Sequence, residues 1–251
     1  MSTPKSQPPT PKSQPPTSKN TTRPRGVWDL ELGVIVRGER GVALLLALVL
    51  VVLLVAIGGA VAIASRTETL IAASFRQARE AGFAAEGAVA VAVRDLDAIA
   101  DWSAVLSGAA ASSFTDGTAI GVRTLPGGDT VTLCCGGASM TADVQQRAHA
   151  GRSWGADTPQ WQIFAWGPVS GWLPAGRIES AIYVVVWVAD DTADRDGNPA
   201  ADANGIVELH AHALAAGGGR RVVEVLVRRP PAATSPAPPG LKILSWRDVR
   251  W

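Results

Sequence analysis

The chain has 251 residues, which suggests one or two folded units, and a formal net charge of +1. That balance gives no global attraction to nucleic acid. Its two cysteines, Cys134 and Cys135, are neighbours, which excludes both a disulfide framework and a CxxC metal knuckle.

Residues 1–25 contain the tandem repeat "PKSQPPT" at 4–10 and 11–17, and Lys5, Lys12 and Lys19 all fall in this region. Such Pro/Ser/Lys composition has nothing to bury and predicts disorder. Residues 26–41 lead on to "RGERG". Val42 to Ala64 is then 23 residues without a charge. A helix of that length is roughly 35 Å long, against a bilayer core of about 30 Å. An ordinary secretory apolar region is shorter, about 7 to 15 residues, with a small-x-small cleavage site behind it. Here "AIAS" is a weak match to such a site. Arg37 and Arg40 border the apolar run on its N-terminal side and favour that side staying in the cytoplasm, with the bulk of the chain outside it.

Residues 66–106 hold no proline, and Ile71, Phe75, Ala78, Gly82, Ala85, Val89 and Leu96 recur close to helical spacing. The pattern predicts one helix from 42 to about 106, on the order of 95 Å long. Gly58-Gly59 is its weak point, since glycine costs about 1 kcal/mol in a helix interior. After residue 107 the texture changes to short apolar runs and turns. "IGVRTL" (120–125), "TVTLCC" (130–135), "IESAIYVVVWVA" (178–189), "GIVELHAHAL" (205–214) and "RRVVEVLVRR" (220–229) read as strands. The last two form an expected hairpin through "AAGGG". "YVVVWV" is apolar on both faces, as expected of a central strand covered by the helix. The Pro-rich segment 230–240 is a stiff linker, and "LKILSWRDVRW" can dock as a last strand. The expected fold class is α+β: a long N-terminal helix packed on a C-terminal antiparallel sheet. The expected divisions are 1–41, 42–64, 65–107, 108–229 and 230–251.

"RG/VALLLALVLVVLLVAIGGAVAIASRTE" followed by "AREAGFAAEGAVA" resembles the N-terminal region of PilX-like minor pilins of type IV pili. "VWVADDTADRDGNPAADANGIVELHAHAL" and "RRVVEVLVRR" resemble C-terminal parts of such proteins. The resemblance implies a basic leader removed by a prepilin peptidase between Gly41 and Val42, with a methylated new N-terminus. It also implies a single-pass protein of the bacterial inner membrane with its C-terminal domain in the periplasm, later packed into a pilus through its N-terminal helix. The implied partners are other pilins and minor pilins, with a role in initiation or at the tip and in cell adhesion. Two departures stand out. Most major pilins carry Glu as the fifth residue after cleavage, where this chain has Leu46. Some PilX-like pilins and the K-type minor pseudopilins of type II secretion also lack that Glu, so its absence favours a tip or priming subunit over a repeating shaft subunit. The leader of 41 residues is also longer than most.

Several stretches could carry chemistry. "ADDTADRDGNPAADANG" (189–205) is rich in carboxylates, and Ca²⁺ takes six to eight oxygen ligands from flexible loops. Asp194, Asp196, Asn198 and Asp202 are the candidate Ca²⁺ ligands. The stretch lacks EF-hand spacing, and a solvated loop of Asp-Gly and Asn-Gly turns is the plainer reading. For Cys134-Cys135 three states compete in an oxidising compartment: a vicinal disulfide in a turn, a bond to another subunit, or buried thiols. The turn-like "CCGG" favours the first. His210 and His212 share a strand face without a third ligand, which reads as two partly exposed strand histidines, and His149 has no sequence partner. Trp154, Trp161, Trp166, Trp172 and Trp187 form either an exposed adhesive surface or, more simply, core and loop anchors. No GxSxG, Walker, Rossmann or HExxH pattern is present, and no catalytic constellation is expected. The expected function is a non-enzymatic minor pilin. The alternatives are a minor pseudopilin of a type II secretion system and a membrane-anchored extracytoplasmic protein that binds a ligand through the Trp-rich region.

Overall fold

A computed structural model describes residues 40–148, 150, 155–172, 179–230 and 240–250. Residues 1–39, which belong to the expected leader, together with His149, Trp154 and most of the Pro-rich linker, lie outside these residues. The chain divides into two compact units, Met1–Gly59 and Ala60–Trp251. In the first, the described residues are the opening of helix α1 (Arg40–Ala98).

The second unit is α+β. Beyond Ala60 the rest of α1 is followed by α2 (Ser103–Leu106), the short strands β1 (Val122–Thr124) and β2 (Thr130–Thr132), and α3 (Met140–Ala148). Strands β3 (Gln162–Pro168), β4 (Tyr183–Asp190), β5 (Ile206–Leu214), β6 (Arg220–Arg228) and β7 (Lys242–Val249) come next. The last five form an antiparallel sheet in chain order, and β1 pairs with β2 separately. The β5–β6 hairpin closes with Leu214 opposite Arg220, and β7 docks beside β6.

The alternation of side chains along strands makes the sheet two-faced. Val184, Val186 and Val188 of β4, Val207, Leu209, Ala211 and Ala213 of β5, and Val223, Val225 and Val227 of β6 point to one core. Helix α1 meets it through Ala81, Ala84, Ala85, Ala88, Val89, Ala92 and Leu96, at i, i+3, i+4 spacing. Small side chains here let the helix lie close on the valine-rich face. The buried stripe is shorter than its expected extent: Ile71 is 50% exposed, Phe75 is 67% exposed, and burial begins at Ala81. The opposite face carries Tyr183, Val185, Trp187 and Ala189 beneath Leu125, Leu133, Met140, Val144, Trp161 and Trp166. Strand β4 is therefore buried along its whole length, as its unbroken apolar run predicts.

Helix α1 stops at Ala98, short of the expected 106, without proline or glycine. Side chains take up carbonyls at its end. Trp102 Nε1 donates to the Leu96 carbonyl at 3.0 Å, and Arg229 donates to the Ile99 and Ala100 carbonyls, both at 2.5 Å. The Arg229 guanidinium also stacks 4.2 Å over the Trp102 ring. Asp101 then accepts the Ser103 amide at 2.9 Å as α2 begins.

The segment after α2 lies along the outer edge of β3, where Ser112 and Asp116 amides donate to the Phe164 and Trp166 carbonyls, each at 2.8 Å. Asp95 of α1 ties that segment down. Its Oδ2 accepts the Ser112 hydroxyl at 2.5 Å and the Ser113 amide and hydroxyl, each at 2.8 Å, while Arg94 holds Oδ1 at 2.7 Å. Burial alone would raise the Asp95 pKa, but these donors outweigh it and hold the carboxyl below its ordinary value. The folded state therefore binds this proton less readily than the unfolded chain, so the stabilisation is present at neutral pH and lost as pH falls through the folded value. Asp95→Asn should lower stability at pH 7 by about 1–3 kcal/mol, measured by chemical unfolding. The difference from wild type should begin to shrink below about pH 4, where the unfolded chain's carboxyl takes up its proton, and close as pH falls through the lower folded value.

Candidate functional site

Two features stand apart from the ordinary core. The first is the opening of α1. Gly41 and Val42, the expected cleavage junction, lie in its first turn. From Val42 to Ile63 the large apolar side chains are 52–70% exposed, Leu46 among them at 65%. Soluble surfaces rarely show contiguous apolar area beyond a few hundred Å². From Gly41 onward α1 is long and apolar enough to cross a membrane.

The second is the loop between β4 and β5. Its residue type is the one turns favour, and Asx-type bonds shape it. The Ala193 amide donates to Asp191 Oδ2 at 2.9 Å, and Asn204 Nδ2 donates to Asp191 Oδ1 at 2.6 Å. The Ala203 amide donates to Asp194 Oδ2 at 2.8 Å, the Asn198 amide to Asp196 Oδ1 at 2.7 Å, and the Gly205 amide to Asp202 Oδ1 at 2.7 Å. The Ala200 amide donates to Asn198 Oδ1 at 3.2 Å. The loop is less solvated than its turn-rich sequence suggests, because Asp190, Asp191 and Asp194 are only 3, 5 and 6% exposed.

Carboxylate oxygens of Asp190, Asp194 and Asp196 lie within 4.8 Å of one another. Of the four expected ligands, Asp194 and Asp196 thus come together, while Asp202 is outside this group. Asp190 was not among the expected ligands. It ends the apolar strand β4, and only its position beside "DTADRD" could have drawn attention to it. Burial first, then the neighbouring Asp194, pushes the Asp190 pKa up to about 7, with Asp191 and Asp202 adding to the rise against a lowering backbone hydrogen bond.

The remaining expected residues are structural. Cys134 and Cys135 are disulfide-bonded to each other, with Cα atoms 3.7 Å apart. The strand read over 130–135 ends at Thr132, and Cys135 takes a left-handed φ of 71°. Trp161, Trp166 and Trp187 are buried, so these tryptophans serve the core and offer no adhesive surface. Trp172 is half-buried against Phe114, with ring centroids 5.5 Å apart.

His210 and His212 share a strand face but are fully buried, contrary to the expected partial exposure. Trp161 and Trp187 cover them, which strand alternation could not reveal. Their Nε2 atoms are 2.7 Å apart, and His210 Nδ1 is 3.2 Å from Glu224 Oε1, whose other oxygen accepts from Arg247. With both rings neutral, the relay is consistent when His210 carries its proton on Nδ1 and His212 carries its own on Nε2.

No family model, curated protein or solved structure matches this chain.

Burial first, then the His210, Arg220 and Arg147 charges, hold the His212 pKa well below its ordinary value. His212 should therefore be the neutral Nε2–H tautomer at pH 6, where an exposed histidine with a pKa of about 6.5 is mostly charged. Long-range ¹H–¹⁵N spectra of the imidazoles check this. Because the unfolded chain takes up the His212 proton more readily, this residue removes stability as pH drops below about 6.5.

Proposed function

We propose that the protein is a non-enzymatic minor pilin of the PilX-like kind, inserted in a bacterial inner membrane with its C-terminal domain in the periplasm. It is cleaved between Gly41 and Val42 and packed with other pilins through α1. The observation that carries this reading is the joining, in one helix, of an exposed charge-free stretch directly after "RGERG" and a later stripe that packs on an antiparallel sheet. A helix whose first part accepts lipid can leave the bilayer at small net cost if it enters an equally apolar bundle of sister helices.

Leu46 supports a tip or priming position. A carboxylate there would pair with the new amino terminus of a neighbouring subunit, and leucine cannot. The same residue supports a minor pseudopilin of a type II system as the second reading, and neighbouring genes separate the two. Burial of Trp161, Trp166 and Trp187 weighs against ligand binding through the Trp-rich region.

N-terminal sequencing of the mature protein tests the proposal. Cells with a prepilin peptidase should yield material starting at methylated Val42, and cells without it the longer form. Identical mass from both would overturn the reading in favour of a plain membrane anchor.

A further inference from the structure

We propose that Asp190, Asp194 and Asp196 form a Ca²⁺ site that ties the end of β4 to the β4–β5 loop. Three facts converge on it. First, the oxygens fit a single ion. Ligands at 2.3–2.6 Å from one Ca²⁺ lie at most about 4.6–5.2 Å apart, and the three carboxylates each offer an oxygen within 4.8 Å of the others.

Second, Asp190 is built into the fold with an atom to spare. It is 3% exposed, and its Oδ1 has no hydrogen-bond partner. A buried carboxylate oxygen left in this state costs on the order of 1–3 kcal/mol or more. The strand nevertheless ends in this carboxylate, set beside two others. Asp194 accepts a backbone amide on Oδ2 and Asp196 on Oδ1, which leaves each carboxylate a second oxygen.

Third, the charge is uncompensated from within. Among the described residues, no salt bridge reaches Asp190, Asp194 or Asp196. Arg195, which stands between Asp194 and Asp196 in the chain, forms no salt bridge with either among the described residues, and Arg229 is committed to the Ile99 and Ala100 carbonyls and the Trp102 ring.

The donor set selects the ion. All three ligands are hard oxygens, which suit Ca²⁺ and Mg²⁺ over zinc or copper. Mg²⁺ demands near-ideal octahedral geometry at 2.0–2.1 Å, whereas Ca²⁺ accepts irregular shells that water and carbonyls complete.

Isothermal titration of the full chain in detergent micelles, stripped with EDTA, tests the site with CaCl₂ as the probe. Wild type should bind one Ca²⁺ per chain and melt at a higher temperature when saturated. Mg²⁺ should bind at least tenfold more weakly. Asp190→Asn removes the charge and keeps the shape. Asp196→Asn changes an exposed residue that leaves the core untouched. Each should retain the wild-type circular dichroism spectrum and lose Ca²⁺ affinity at least tenfold, together with the melting shift. No heat and no melting shift in wild type would overturn the proposal. So would unchanged Ca²⁺ binding in the folded Asp196→Asn variant, or Mg²⁺ binding as tight as Ca²⁺.

Discussion

A helix must find cover for the apolar surface it presents, and in this protein one helix meets that requirement in two different ways. Between Ala81 and Leu96 the cover is the protein's own sheet: small side chains on α1 let the backbone approach a face of valines and alanines. Between Val42 and Ile63 the large side chains stand open. Water is a poor neighbour for such a surface, at roughly 25 cal/mol for each Å² exposed. The cover has to come from lipid or from other apolar helices, and the functional reading follows from that requirement.

The central strands of the sheet that covers the later part of α1 are protected on both faces, while β7 at its edge is exposed. Its far side packs Tyr183, Val185 and Trp187 under α3 and the tryptophans of the 161–166 region. The His210–His212 pair and Glu224 are embedded there as a hydrogen-bonded relay that ends at Arg247 on β7. Central strands buried on two faces make a rigid base, and the acidic loop joins two of them, β4 and β5. Polar groups buried in that loop are mostly satisfied by neighbouring amides, which makes the unpartnered Asp190 oxygen distinctive.

Long periodic features were legible in the sequence. The charge-free run, the unbroken apolar "YVVVWV", the β5–β6 hairpin and the last strand all stand in the structure where their patterns place them. Short elements were legible only in part: β1 and β2 fall within the strands expected at 120–125 and 130–135, whereas α3 and β3 were not foreseen. α3 spans nine residues, too few to display helical periodicity, and only Met140 and Val144 of it are buried. β3 was hidden because Trp161, Trp166 and Gly167 read as loop texture. Its Gly167 is required by packing, since a Cβ there would come within 2.7 Å of the Phe114 ring. The end of α1 was overrun because Trp102 and Arg229, far apart in sequence, combine to stop it. In the loop, composition pointed to carboxylates that the structure brings together in part. Spacing could not tell Asp202, whose Oδ1 accepts the Gly205 amide, from Asp190, whose Oδ1 is unpartnered.

Residues 42–64 are the part of the chain that seeks a non-aqueous environment, while the α+β unit buries its own core. Flotation with phospholipid vesicles on a density gradient tests it, comparing the full chain with a chain that begins at Ser65. The full chain should rise with the vesicles, and the shortened chain should stay in the dense fraction, folded and monomeric. A full chain that remains folded and monomeric in the dense fraction, or a shortened chain that floats equally well, would contradict it.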